Sequence, residues 1–377
     1  MTEREEKYLI GLGQIKDLGH ANLINLMHYY DSAEAAWQNY RSWHKVLDVS
    51  RSKLTELIAN RKSLNLESLY KYSRQVGAKI VSQRDKDYPA AFRNIYDPPY
   101  FIYYFGELPK EEDFCLTVVG SRKHSDYGRD LAKRTSKELV KIAGAVIVSG
   151  MAEGIDAIAH WGALNAGGRT VAVLGNGIDK IYPAINAKLY AEIKERGCII
   201  SEFPLGCESY GYNFPYRNRL MSALGRGVIV IEAHRGSGVF HTVSHALDQG
   251  KDVFAFPGSV FAPGSYAPHF LIKEGTAKPV FSTEDIIEEY FDLDLLYRDR
   301  NEENSERDFS SYAPEERKLL EALSKGELSF DALSVISGLD SGALNAILTL
   351  WEVEGIIAKG PGQMYGLANY IDEVDNE

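Results

Sequence analysis

Six short apolar runs constrain this chain more than any other feature. LTVVG (116–120), AVIVSG (145–150), TVAVLG (170–175), CIISE (198–202), GVIVIEA (227–233) and DVFAFPG (252–258) are separated by stretches of helical character. Runs of this length without polar alternation suit strands buried on both faces, and the helices between them suit the crossovers of a parallel sheet. The pattern predicts an α/β fold with a doubly wound parallel sheet. In such sheets ligands sit beyond the C-terminal ends of the strands. The residues that close each run are therefore the candidates for function.

Those ends are Gly120-Ser121-Arg122, Ser149-Gly150-Met151-Ala152-Glu153-Gly154, Gly175-Asn176-Gly177, Glu202-Phe203-Pro204 and Arg235-Gly236-Ser237-Gly238. Small residues let a phosphate approach the backbone, and helix N-termini offer free N–H groups. A doubly wound fold needs small residues at tight turns with or without a ligand, so no single turn carries the reading; the set favours an anion-binding groove. Beside it stands Phe214-Pro215-Tyr216-Arg217-Asn218-Arg219. Arginine presents a rigid fork of donors to phosphate, and an aromatic face can stack a base. The competing reading pairs Arg217 and Arg219 with carboxylates such as Glu202 or Glu232. Familiar nucleotide motifs fail: there is no GxxxxGK[ST] and no GxSxG, and Gly175-Asn176-Gly177 lacks the third glycine of a dinucleotide fingerprint.

The flanks divide the chain further. Residues 1–75 read as a helical domain, with Gly11-Leu12-Gly13 and Leu18-Gly19-His20 as turns resembling helix-hairpin-helix elements. Residues 76–113, rich in proline and aromatics, read as an extended connector ending in an edge strand. The sheet domain spans 114–282, and 283–311 is a short acidic helix and linker. Residues 312–377 have a winged-helix layout, with helices at 314–324, 329–336 and 341–354 and a Gly-Pro-Gly hairpin. The third helix would normally enter a major groove, yet it carries no Lys or Arg, so a protein contact fits it better than duplex DNA.

Net charge is −11, but it is unevenly spread. Residues 114–280 hold 19 Lys and Arg against 14 Asp and Glu, whereas 312–377 hold 4 against 12. The middle is suited to meet an anion, and the end is not. No apolar run of membrane-spanning length occurs, and MTEREEKYLI is no signal peptide, so a cytoplasmic protein without membrane contact is expected. Cys115, Cys198 and Cys207 form no CxxC, which argues against a disulfide framework or a Cys-based zinc site. His241 and His245 have metal-compatible spacing but no third ligand, and His160 and Asp156 read as groups bracing turns.

The ordered motifs resemble the DNA-processing protein A (DprA/Smf) family. VGSRKHSDYG (119–128), VSGMAEGIDAIAHWGAL (148–164), VLGNGIDKIYPAIN (173–186), ISEFP (200–204), FPYRNRLMSAL (214–224) and DVFAFPG (252–258) match in sequence order. The resemblance implies a Rossmann-like domain that binds single-stranded DNA without enzymatic turnover and without cofactor or metal. It also implies homodimers, and loading of the RecA recombinase during natural transformation. By resemblance Arg122, Phe214, Arg217 and Arg219 fall on the family's contact positions; together with the strand-end reading, the nucleic-acid-binding residues expected are Gly120, Ser121, Arg122, Ser149, Gly150, Phe214, Pro215, Arg217, Asn218, Arg219, Ser237, Gly238 and Thr242. The chain departs from the family pattern at Val239-Phe240-His241 and at Ala267-Pro268, the latter where the family is expected to dimerise. The rival class is a nucleotide-hydrolysing, phosphoribohydrolase-like enzyme. Its PGGxGTxxE motif is missing here, leaving Glu153 and Glu202 as the rim glutamates.

Overall fold

A computed structural model describes residues 1–291, 309, 312–324, 326, 328–354, 356–360 and 364–367. Five helices open the chain: α1 (Glu3–Gly13), α2 (His20–Tyr29), α3 (Ala33–Gln38), α4 (Arg51–Ser63) and α5 (Leu66–Val76). Four of them start on a side-chain cap, with Thr2, Ser32, Ser50 and Asn65 each accepting from a backbone N–H of the first turn. Such caps satisfy donors that a helix end leaves orphaned. The expected turn at Gly11-Leu12-Gly13 is instead the last turns of α1. A Cβ on Gly11 would lie 2.2 Å from Leu66 and 3.0 Å from Trp37, and one on Gly13 would lie 2.7 Å from Phe101. These glycines admit neighbouring side chains; they do not bend the chain. At Gly19 the φ of 73° does make a turn, directly before α2.

Next come β1 (Lys79–Ser82), α6 (Ala90–Arg93) and β2 (Phe101–Gly106). Then strand and helix alternate: β3 (Cys115–Val119), α7 (Asp126–Ala143), β4 (Val146–Ser149), α8 (Ile155–Asn165), β5 (Thr170–Val173), α9 (Ala187–Arg196), β6 (Cys198–Ser201), α10 (Asn213–Leu224), β7 (Gly227–Val230), α11 (Val239–Asp248), β8 (Asp252–Ala255), α12 (Tyr266–Lys273), β9 (Lys278–Pro279) and α13 (Glu284–Ile287). All six apolar runs are strands of one nine-stranded sheet, ordered β1-β2-β6-β5-β4-β3-β7-β8-β9. From β6 to β9 the pairings are parallel. The sheet is nevertheless mixed, because β2 runs antiparallel to β6 and β1 antiparallel to β2. The aromatic run within residues 76–113 is a strand, as expected, and with β1 outside it this segment extends the sheet by two strands.

Side-chain alternation along each strand splits the core in two. Ala172, Leu174 and Ile199 pack with α9 and the opening helices, whereas Val171, Val173, Cys198 and Ile200 pack with α10, α11 and α12. The first of these cores also contains Leu9, Leu12, Leu26 and Trp37 from the N-terminal helices and Phe101, Tyr103 and Phe105 from β2. Residues Met1–Glu289 accordingly form one compact unit.

A second unit, Tyr290–Glu377, contains α14 (Pro314–Leu323), β10 (Leu328–Ser329), α15 (Phe330–Ser337), α16 (Ser341–Val353), β11 (Ile357–Gly360) and β12 (Met364–Leu367). Its strands form an antiparallel sheet in the order β10-β12-β11. Leu319, Leu323, Leu333, Leu344, Leu348 and Trp351 make the core of this winged-helix domain. The three helices fall where their apolar spacing placed them. Asp340 caps α16, accepting from the N–H groups of Gly342 and Ala343. Most of the acidic linker, and the Pro-Gly of the hairpin, lie outside the described residues. Among the described residues no single helix is long and apolar enough to cross a membrane.

Candidate nucleic-acid interface

The strand order reverses between β3 and β7: later strands add on one side of β3 up to β6 and on the other from β7 onward. Crossovers leave in opposite directions at such a point, and a crevice opens beyond the strand ends. A cleft of about 450 Å³ lies there, lined by Gly120, Ser121, Arg122, Lys123, Phe214, Pro215, Arg217, Asn218, Arg235, Ser237, Gly238 and Thr242 among others. A smaller cleft of about 150 Å³ adjoins it, lined by Gly150, Met151, Glu153, Gly175, Asn176, Tyr182 and Phe214. Arg122, Ala152 and Phe214 line both.

The turn after β3 is rigid. The Ser121 N–H donates to the Glu232 carbonyl (2.7 Å), and the Ser121 hydroxyl donates to the Lys123 carbonyl (2.7 Å). The Glu232 carboxylate accepts from both the N–H and the hydroxyl of Ser125, at 2.8 and 2.6 Å. Ser125 in turn caps α7 by accepting from the Gly128 N–H. Anchors at Ser121 and Ser125 leave Arg122 exposed on a fixed base. Its guanidinium lies 5.5 Å from the centroid of the Phe214 ring, within cation–π range.

Phe214 is held from beneath. A Cβ on Gly175 would lie 2.7 Å from the ring, so only glycine lets the ring approach the end of β5. The Asn213 amide donates to the Gly175 carbonyl at 2.9 Å, fixing the start of α10, and Tyr182 packs on the ring at 5.6 Å.

The turn after β4 is strained. Met151 has φ of 59°, in the left-handed region that costs an ordinary side chain on the order of 1 kcal/mol. The Asn186 amide secures it by donating to the Met151 and Ala152 carbonyls at 2.9 and 3.3 Å. Asp156 braces the same turn, accepting from the Gly150 N–H at 3.2 Å, as expected from the sequence. Burial raises the Asp156 carboxyl above the usual carboxylate range, with the Arg217 charge opposing that shift. Deeper in, the His160 imidazole meets the Thr170 hydroxyl at 2.6 Å, and burial pushes it down to about 3, so it stays neutral.

The two arginines of α10 part company. Arg217 is buried, donating to the Gly150 carbonyl (2.9 Å), the Val173 carbonyl and the Asn218 side chain (3.2 Å). Burial lowers it to about 10, with Asp156 opposing, so it remains a cation at neutral pH. It contributes charge to the cleft floor, while much of its fork is already engaged. Arg219, expected to take phosphate, does not line either cleft. It makes a two-pronged pair with Glu202 at 2.6 Å on each arm, donates to the Asp97 carbonyl at 3.0 Å and lies 4.0 Å over the Tyr216 ring. The carboxylate-pairing alternative therefore holds for Arg219. Ser149 is a second correction: its fully buried hydroxyl donates to the Val118 carbonyl at 2.7 Å and faces the sheet. The remaining expected residues line one cleft or the other.

Among the cleft-lining residues outside the set of binding residues expected from sequence are Lys123, Asn176, Tyr182 and Arg235. Each sits within a quoted motif or strand end, so adjacency was the available signal. Among the described residues no group of three or more His, Cys, Asp or Glu is placed to hold a metal ion.

Fold and rim together define a class: a Rossmann-like α/β domain with its cleft at the topological switch point, in a chain that also carries a winged-helix domain. The chain belongs to the DNA recombination-mediator protein A family, whose model matches residues 79–291, and a DprA winged helix domain model matches 303–363. Protein Smf of Synechocystis is 30% identical over 97% of this chain and 99% of its own length. The solved structure of DNA processing protein A from Streptococcus pneumoniae matches with a TM-score of 0.67 and 32% identity, over 76% of this chain and 98% of that one. DNA processing protein A from Helicobacter pylori, whose structure was solved for its single-stranded DNA binding mode, matches with a TM-score of 0.51 and 28% identity, over 59% and 98%.

Proposed function

We propose that this protein binds single-stranded DNA along the rim of its central sheet, protects incoming strands and loads the RecA recombinase onto them during natural transformation. The observation that carries the reading is the Arg122 guanidinium poised over the Phe214 ring where two clefts meet. A cation beside a half-buried aromatic ring that lines both clefts serves a phosphate and the base attached to it, and neither contact demands a particular sequence. Gly120, Ser121, Gly150, Pro215, Asn218, Ser237, Gly238 and Thr242 complete the walls, with Arg217 as buried charge beneath them. The strand-binding relative from Helicobacter pylori and the recombination-mediator family support this ligand and this role.

The reading is one of binding in the cytoplasm, not turnover, and of a homodimer. Exposed Val260, Phe261, Tyr266 and Phe270 around the start of α12 supply an apolar face suited to a second copy. The departures Ala267 and Pro268 are buried behind that face, so they leave its chemistry intact.

Electrophoretic shift with oligo-dT tests the reading. Arg122→Ala and Phe214→Ala should each weaken binding by roughly tenfold or more, and wild-type affinity should fall steeply as salt rises. Arg122 is exposed, so its loss should leave the thermal midpoint nearly unchanged. Binding equal to wild type in both variants overturns the proposal, and release of free base from nucleoside monophosphates would favour the enzyme reading.

A further inference from the structure

Beyond the two clefts, the rim continues to the end of β6, and the loop there carries an unusual surface. Tyr210 and Tyr212 are 48% and 73% exposed, yet their rings stack on one another, 2° from parallel with centroids 5.5 Å apart. We infer that this tyrosine pair is a further base-stacking subsite, which takes an unpaired nucleobase of the strand beyond the one at Phe214. The inference rests on the proposed function and extends its track by one strand end.

Three observations carry it. The first is continuity along the sheet: the strand ends of the rim follow in the order β7, β3, β4, β5, β6. The Asn213 amide, directly after the pair, donates to the carbonyl of Gly175 in the wall of the smaller cleft at 2.9 Å, so the tyrosine loop stands beside the clefts. The second is rigidity. The Gly177 N–H donates to the Cys207 carbonyl (2.9 Å), the Gly206 N–H to Asp179 (2.8 Å), and the Asn213 N–H to the Tyr210 carbonyl (3.0 Å). Rings held on an anchored loop lose little freedom when a base docks on them. The third is charge: Glu208, the nearest carboxylate in sequence to the pair, is matched by Lys180 at 2.9 Å. Large rings left in water usually find cover in the fold, and these two present outer faces next to an anion-binding rim instead.

The test compares wild type, Y210A/Y212A, Y210F/Y212F and R122A on oligo-dT of about 4 and about 12 nucleotides, and on a strand of the longer length with abasic sites throughout. The double alanine variant should bind the longer oligo-dT roughly tenfold more weakly, with the phenylalanine variant near wild type. The short oligo-dT and the abasic strand should show no difference between the alanine variant and wild type. Undiminished binding of long oligo-dT by Y210A/Y212A, while R122A loses it, overturns the subsite and leaves the proposed function standing. Equal losses on oligo-dT and abasic strand would show loop damage without stacking and also overturn it. If R122A and Y210A/Y212A both bind like wild type, the proposed function itself falls and takes the subsite with it.

Discussion

Arg217 and Arg219 stand two positions apart on α10, and residues so spaced on a helix do not face each other. One guanidinium therefore reaches back to the ends of β4 and β5, while the other meets Glu202 and Asp97. A sequence reading that groups the two as a phosphate clamp assumes they point the same way. The helix forbids it. Substituting Glu202→Gln tests the separation of roles, because it removes the charge partner of a side chain only 6% exposed. Breaking a buried ion pair costs on the order of 3–5 kcal/mol, so chemical denaturation should register a loss of that size. Strand affinity below the melting range should stay at the wild-type level. A rise in affinity would mean that Arg219 had been freed to bind phosphate.

Elements whose signal is local were legible, and those defined by distant pairing were not. The six apolar runs became six strands because burial on both faces leaves its mark in each run separately. The antiparallel insertion of β2 beside β6 has no such mark, since nothing within Phe101–Gly106 names its neighbour. Likewise Gly11 looks like a turn until Leu66 and Trp37 are seen to need the space. Gly154, at the start of α8, shows how one element serves the rim. Its φ is 81°, and a Cβ there would lie 2.4 Å from the Ser121 carbonyl oxygen and 2.6 Å from that of Arg122. Gly154→Ala should cost about 2 kcal/mol or more and displace the Arg122 turn. Gly167 is the control, with φ of 79° and open space around it. Gly167→Ala should lower stability alone, as read by thermal melts, while Gly154→Ala should lower both stability and oligo-dT binding.

Across the molecule, charge and core divide differently. Positive charge gathers in the sheet region and negative charge in the winged-helix residues, and this much was visible from composition. The shared core of the opening helices and the sheet was not, because apolar spacing marks a buried stripe without saying what covers it. Gln14, just past α1, donates at 2.8 Å to the Leu205 carbonyl in the loop that leads to Tyr210, and Tyr72 of α5 donates at 2.9 Å to Asp179, which accepts from that loop's Gly206 N–H. Residues 1–289 should consequently melt in one transition by calorimetry, and a chain begun at residue 76 should melt at a lower temperature than the intact unit. Two separate transitions within that unit would contradict the common core.

That shared interior has an evolutionary consequence. A stretch whose side chains pack into the same interior as the sheet cannot change there alone. In this chain the opening helices can be lengthened or recoloured freely only at their outer surface, and any change on the inner side must be matched across the sheet. The front of this chain is thus foundation, and room for novelty lies on its facade and in the loops at the rim.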